Sequence, residues 1–172
     1  TIRLVKHIRF RGMYCRLYFI LGFPYETKEQ MRETIEFAKD VGADWCAFMR
    51  AIPLPGTKMF DQFLQMGVLP DDATWGMPTF QRIFDTEEIK AEDLNDLCFQ
   101  TDIEVNYINN KNLFEGDYKR ALALFKEVFE RFPFHVLAGY SMLYCYERLH
   151  EFSFASSFKT QLIKLTASDK RA

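Results

Sequence analysis

The residues of this sequence best suited to holding a ligand lie in two loops, each of which follows an apolar segment. Both loops combine glycine and proline, which free or fix the backbone, with residues that cap helices or accept hydrogen bonds. If the apolar segments are parallel strands, the loops lie together at the carboxyl edge of the sheet, where barrel enzymes place their active sites. The residues are Gly22, Pro24, Glu26 and Thr27 in the first loop, and Pro53, Leu54, Pro55, Gly56 and Thr57 in the second.

A structural interpretation of the same residues stays open. Thr27 is suited to cap a helix, and Glu26 lies where a carboxylate interacts favourably with the positive end of a helix. Arg50, near the end of the second apolar segment, could contact an anionic substrate or a cofactor carboxylate, and a purely structural role fits it equally well. Asp44 is better explained as a turn residue at the entry to a strand than as a general base.

The loops require a strand–helix–strand unit to position them. Residues 14–23 are almost all apolar, which is typical of a strand buried on both faces of a parallel sheet. Residues 28–41 have apolar residues at helical spacing and end at Gly42, and residues 44–52 form a second strand. The sequence therefore predicts a βαβ unit.

Helices are predicted for the rest of the chain. A short amphipathic helix with a cationic end is expected over residues 1–11, and another helix over residues 58–66. A poorly periodic connector over residues 68–86 holds the predicted domain boundary, between residues 78 and 79. The helices expected beyond it cover residues 86–109, 117–132, 135–149 and 152–166.

The two loops together resemble the late strands of the radical S-adenosylmethionine enzymes, especially the cobalamin-associated branch. The similar residues are Phe19-Ile20-Leu21-Gly22-Phe23-Pro24-Tyr25-Glu26-Thr27, then a helix and a strand, then Pro53-Leu54-Pro55-Gly56-Thr57 with Phe60. The resemblance covers Tyr14 to Met66. The sequence departs from the family at Tyr25, where a glycine is usual, so the backbone of this loop is less free than in the family.

This resemblance implies a chemistry and a set of roles. Enzymes of the family use a reduced four-iron four-sulfur cluster, held by a CxxxCxxC loop, to cleave S-adenosylmethionine and start radical chemistry on a substrate. The sequence lacks that loop, so the cluster ligands are expected outside this chain, and the branch also allows cobalamin. The resemblance places Ile20 and Gly22 against the adenosine part of S-adenosylmethionine. Pro24, Glu26 and Thr27 would form the loop above the adenosine, and Pro55 and Gly56 would line the mouth of the same site. Arg50 would contact the substrate.

The C-terminal half has a weak internal period of 34 residues, which aligns Tyr118 with Phe152 and Ala121 with Ala155. Gly116, the small Ala121, the aromatic residues and Pro133 resemble a tetratricopeptide repeat, with copies over about residues 102–135 and 136–169. Such a tail implies either a helical addition packed on its neighbour or a surface that binds a protein partner. Polar Asn106, Asn109 and Asn110 on a concave face would favour peptide binding.

The composition excludes several other classes of protein. The chain has 172 residues, 48% of them hydrophobic, and a net charge of -2, so it is neither a disordered tail nor a polybasic nucleic-acid arm. No apolar run approaches the length of a membrane span, and the four separated cysteines suggest a reduced, cytoplasmic protein without a metal site of its own. The histidines and serines lack catalytic contexts.

The predicted architecture is α/β followed by all-α. Residues 1–78 would form the last strands of a partial (β/α) TIM-type barrel, since a closed barrel takes about 250 residues, and residues 79–172 a tail of tetratricopeptide-like hairpins. The start at Thr1 fits a fragment of a longer enzyme, inactive alone and dependent on the rest of the barrel. The alternative is a non-enzymatic tetratricopeptide-like interaction module.

Overall fold

The computed structural model of the chain describes residues 1–69 and 84–168. The chain forms two compact units, Thr1–Val105 and Asn106–Ala172. The predicted domain boundary between residues 78 and 79 lies outside the described residues. None of the helices in the described ranges combines the length and the apolar character needed to cross a membrane.

The first unit contains a two-stranded parallel sheet and four α-helices within its described residues. Phe19 of the first strand lies opposite Phe48 of the second, which confirms the predicted strand–helix–strand unit. The elements are α1 (Ile2–Phe10), β1 (Arg16–Leu21), α2 (Lys28–Asp40), β2 (Trp45–Arg50), α3 (Lys58–Gln65) and α4 (Ala91–Ile103), which continues as a π-helical turn, Glu104–Ile108.

Helix α2 begins where the sequence predicts. The Thr27 side chain accepts a hydrogen bond from the Gln30 N–H, and the Gln30 side chain accepts one from the Thr27 N–H. This reciprocal pair satisfies two N–H groups that the first turn of a helix leaves without partners. The predicted apolar stripe is confirmed as well, because Met31, Ile35 and Ala38 are all buried.

The main core of the first unit lies between one face of the sheet and helices α1, α2 and α4. The Phe19 ring stacks on Phe48, with centroids 5.3 Å apart, and meets Phe37 of α2 edge to face at 6.2 Å. Helix α4 covers β2, where the Asp102 carboxylate accepts the Phe48 N–H at 3.3 Å. A side chain of α4 therefore satisfies a backbone donor of β2.

The prediction that β1 is buried on both faces is wrong for this chain. Its residues alternate in exposure, and Tyr18 and Ile20 are 66% and 40% exposed. Met49, opposite Ile20 on β2, is 45% exposed. The physical reason is that successive side chains of a strand point to opposite faces, and the packed core covers one of them.

The end of the sheet where both strands begin is fixed by a buried ion pair. Asp44 is almost fully buried, where its carboxylate accepts the Cys15 N–H at 2.7 Å and lies 3.3 Å from the Arg9 guanidinium. Arg9 also donates to the Gly42 carbonyl at 3.0 Å. Asp44 thus joins α1 to the start of both strands, in agreement with a structural role at the strand entry.

The described residues of the second unit form helices joined by short turns. Helix α7 contacts both α6 and α8. At Gly139 of α7, a β-carbon would lie 2.4 Å from Leu162 and 3.2 Å from the Phe129 ring, so the glycine permits close approach of the three helices. The elements are α5 (Lys111–Phe114), α6 (Tyr118–Arg131), α7 (Val136–Arg148) and α8 (Phe152–Ser168).

The 34-residue period has a structural counterpart. Gly116 and His150, 34 residues apart, both adopt the left-handed conformation, with φ of 74° and 60°. Each precedes a helix, α6 and α8, and the small residues Ala121 and Ala155 are buried at equivalent positions of those helices. The two helix starts are therefore built alike, although one has glycine and the other histidine at the turn.

Candidate functional site

A cleft of about 550 Å³ lies at the carboxyl ends of the two strands. Its walls are mainly apolar and include Ile20 of β1 and Met49 of β2. The cleft also contains Arg50, the last residue of β2, and residues of the segment that follows it. Clefts at the carboxyl ends of parallel strands are the usual position of ligand sites in α/β proteins. The described residues that line it are Ile20, Phe23, Phe48, Met49, Arg50, Ala51, Ile52, Leu54, Met59, Asn95, Cys98, Phe99 and Asp102.

The loop after β1 is held by Glu26. One oxygen of its carboxylate accepts the N–H groups of Gly22 and Phe23, at 2.6 and 2.9 Å. The Glu26 N–H in turn donates to the Phe23 carbonyl at 3.0 Å. Glu26 therefore folds the loop back on itself, and its charge-assisted hydrogen bonds fix the backbone at the end of β1.

Gly22 is required at the end of β1 for two reasons. Its φ is 82°, a conformation that strains other residues, and a β-carbon there would lie 2.4 Å from Cδ2 of Leu94 on α4. Tyr25 also has a left-handed φ, of 64°. The backbone at Tyr25 therefore adopts a conformation that favours glycine.

The second loop is a turn that leads into α3. The Thr57 hydroxyl donates to the Leu54 carbonyl at 2.7 Å and accepts the Phe60 N–H at 3.2 Å, so it caps the helix. Pro53 and Pro55 are buried, and Gly56 is exposed.

The residues proposed as a site from the sequence do not all meet in one cleft. Ile20 and Arg50 line the cleft at the strand ends, together with Leu54 of the second loop. Pro24 and Glu26 line a separate, open hollow beside Phe37 of α2. Gly22, Thr27, Pro55 and Gly56 act in turns and caps and line neither cavity.

The sequence interpretation missed the wall that α4 contributes. Asn95, Cys98, Phe99 and Asp102 of this helix line the cleft. Their spacing of three, one and three residues is that of one helical face, which was the available signal. What the spacing does not reveal is that this face meets β2.

The four cysteines are buried, which confirms their interpretation as small core residues. Burial raises the pKa of Cys98, which lines the cleft, to about 11, although the nearby Arg50 opposes the shift. Burial also raises the pKa of Cys46 and of Cys145 to about 12. These thiols therefore stay protonated near neutral pH and are poor nucleophiles and metal ligands.

The chain does not fit a four-iron four-sulfur cluster. In residues 1–69 and 84–168 there is no group of three or more histidine, cysteine or acidic side chains that could hold a metal ion. The sequence also lacks the three-cysteine loop that such a cluster takes.

The asparagines that favoured peptide binding are mostly internal, and that part of the prediction is wrong. Asn106 and Asn110 are 1% exposed. The Asn110 side chain donates to the Asn106 carbonyl at 2.9 Å and caps α5 by accepting the N–H groups of Asn112 and Leu113. These two residues stabilise the turn between helices and are not available to a peptide.

Comparison with known proteins bears on the activity. No family model matches the chain, and no solved structure matches it. An uncharacterised methyltransferase of Pyrococcus horikoshii is 27% identical over 134 residues, which are 78% of this chain and 27% of that protein. The cytidylyl-2-hydroxyethylphosphonate methyltransferase of Streptomyces wedmorensis is 28% identical over 102 residues, which are 52% of this chain and 19% of that protein.

The chain is similar to methyltransferases. It spans about a quarter of one of these relatives and a fifth of the other.

Proposed function

We propose that this chain is part of a methyltransferase that uses S-adenosylmethionine, and that the cleft at the strand ends belongs to the mouth shared by S-adenosylmethionine and substrate. The observation that carries the proposal is the meeting of Ile20 and Arg50 in one cleft, in a chain whose relatives are methyltransferases. When bound, S-adenosylmethionine would supply the methyl group.

The lining of the cleft supports this choice of ligand. Ile20, Met49 and Phe99 offer apolar surface for a nucleoside ring, and all three side chains are at least 40% exposed. The strand end beside them is kept rigid by the Glu26 carboxylate, which accepts the Gly22 and Phe23 N–H groups. A preformed, mostly apolar cleft with few polar groups is the common form of a cofactor site.

We also propose that the enzyme is a radical S-adenosylmethionine enzyme. Its four-iron four-sulfur cluster would be held by sequence outside this chain, since the described residues do not fit one. The strands would then belong to a larger (β/α) barrel, whose remaining part would cover the exposed sheet face at Tyr18, beside the cleft. The much greater length of the relatives agrees with this arrangement.

The proposal is tested by titrating the nitrogen-15-labelled chain with S-adenosylhomocysteine, an unreactive product of methyl transfer. We expect amide shift changes at the cleft and a loss of affinity of about ten-fold or more in Ile20→Asp, because a carboxylate would be placed against an apolar ring. Ile163→Asp is the matched control, since Ile163 is an exposed isoleucine of α8. Shift changes confined to other surfaces, equal affinity in Ile20→Asp, or no binding would contradict the proposal.

A further inference from the structure

The cleft at the strand ends combines a mainly apolar lining with a few polar side chains. Ile20, Met49, Leu54 and Phe99 supply apolar surface, while its charged and amide groups come from β2 and α4. A cleft of this kind takes a ligand with an apolar body and a single polar group. The polar residues of the lining are Arg50, Asn95 and Asp102.

Arg50 is the cation among the described residues that line this cleft, and its hydrogen-bond partner among them is neutral. Its guanidinium donates through Nη1 to the Asn95 side-chain oxygen. A guanidinium has five N–H donors in a planar fork, so one hydrogen bond leaves the others available to a ligand. The amide of Asn95 fixes the position of the positive charge and does not neutralise it.

Asp102 brings a negative charge to the same cleft. Its carboxylate lines the same cleft and accepts the Phe48 N–H at 3.3 Å, so it is tied to β2 two residues before Arg50. An anion near Asp102 would be repelled, whereas one at Arg50 would be attracted. The NH₂ group of Asn95 adds a neutral donor beside Arg50.

We infer that Arg50, positioned by Asn95, binds an oxyanion of the substrate, a carboxylate or a phosphonate, whose apolar part lies along Ile20, Met49 and Phe99. The planar fork of Arg50 matches two oxygens of either group. This inference rests on the proposed function, because it assigns the substrate class of the same cleft.

The test uses pentanoate and butylphosphonate as anionic probes and pentanamide as the neutral probe. Binding to the nitrogen-15-labelled 172-residue chain is followed by amide and Arg side-chain shifts. We expect both anions to shift the Arg50 guanidinium signal, and Arg50→Gln to weaken both by about ten-fold while pentanamide is unaffected. Arg50→Lys, which keeps the charge and loses the fork, should bind both anions with intermediate affinity.

Two further variants separate charge from folding. Asn95→Asp places a carboxylate against Arg50 with almost no change in shape, and we expect it to weaken both anions as much as Arg50→Gln does. Arg32→Gln is the control for a lost cation, because Arg32 lies on α2, is 65% exposed and pairs with Glu29. It should bind both anions like the unaltered chain.

Three results would overturn the inference: unchanged affinity for both anions in Arg50→Gln, no binding of either anion by the unaltered chain, or shift changes away from the cleft. A fourth is a loss of affinity in Arg50→Gln that is confined to S-adenosylhomocysteine, since Arg50 would then bind the carboxylate of the cofactor. Binding of S-adenosylhomocysteine with no Arg50-dependent binding of the anions would refute the substrate assignment and leave the proposed function standing.

Discussion

Replacing Gly22 with alanine should destabilise the protein more than the same change at another left-handed glycine. Gly22 has φ of 82°, and the new β-carbon would lie 2.4 Å from Cδ2 of Leu94. Gly12 has a similar φ of 76°, but a β-carbon there would have no atom within 4 Å. Gly12→Ala is therefore a matched control that has the backbone strain without the steric clash.

The size of the effect follows from these two terms. The left-handed conformation costs a residue with a β-carbon about 1–2 kcal/mol. Overpacking of a filled site adds about 1–3 kcal/mol, and Leu94 is only 2% exposed, so its side chain has little space into which to move. We expect Gly22→Ala to lower the free energy of unfolding by about 2–5 kcal/mol and Gly12→Ala by about 1–2 kcal/mol.

The assay is urea denaturation followed by far-UV circular dichroism, with Leu94→Ala as a second background. In that background the clash partner is absent, so Gly22→Ala should cost about 1–3 kcal/mol less than in the unaltered chain. Equal effects of Gly22→Ala and Gly12→Ala, or no coupling with Leu94→Ala, would refute the argument that α4 packs against the end of β1.

Three further outcomes are expected. Tyr25→Gly should raise the free energy of unfolding by up to about 1 kcal/mol, because Tyr25 adopts φ of 64°. His135→Ala should lower it by about 1 kcal/mol, because the Nδ1 atom of His135 accepts the N–H of Ala138 and caps α7. The free energy of unfolding should fall above about pH 9. Burial raises the pKa of Cys46 and of Cys145 to about 12, and hydrogen bonds to Glu104 and Glu36 raise the pKa of Lys39. The folded state therefore keeps these protons at a pH where the unfolded chain releases them.

Each of these outcomes has a measurement that can contradict it. Urea midpoints compare Tyr25→Gly with the unaltered chain, and a lower midpoint would show that the tyrosine ring contributes more than its backbone strain costs. His135→Asn retains a capping acceptor and should lose less stability than His135→Ala; equal losses would argue against the cap. Urea unfolding at about pH 8 and about pH 11 tests the alkaline effect, and constant stability would refute it.

Local chemistry made the positions of the main elements predictable. Thr27 caps α2 because a hydroxyl three residues before a free N–H satisfies it, and the helix that follows buries the predicted stripe. Pro133, just after α6, ends that helix because it lacks an N–H and clashes with the preceding turn. The parallel pairing of β1 and β2 follows from a helix between two apolar segments.

Relations between distant residues could not be predicted in this way. Helix α4 covers Gly22, and its Asp102 and Asn95 contact Phe48 and Arg50 of β2. These contacts depend on packing between segments 45 to 72 residues apart, as the Arg50–Asn95 and Gly22–Leu94 pairs show. The burial of one sheet face and the exposure of the other likewise depend on which elements cover the sheet.

The sequence by itself determined the strands, the helix caps and the turn residues, because hydrogen bonds and backbone angles within a few residues decide them. Only the tertiary structure decided which of the loop residues meet in a cleft. Glu26 folds back onto Gly22, whereas Arg50 faces a wall built from α4. The reason is that the position of a side chain depends on the elements packed around it, and no local pattern contains that information.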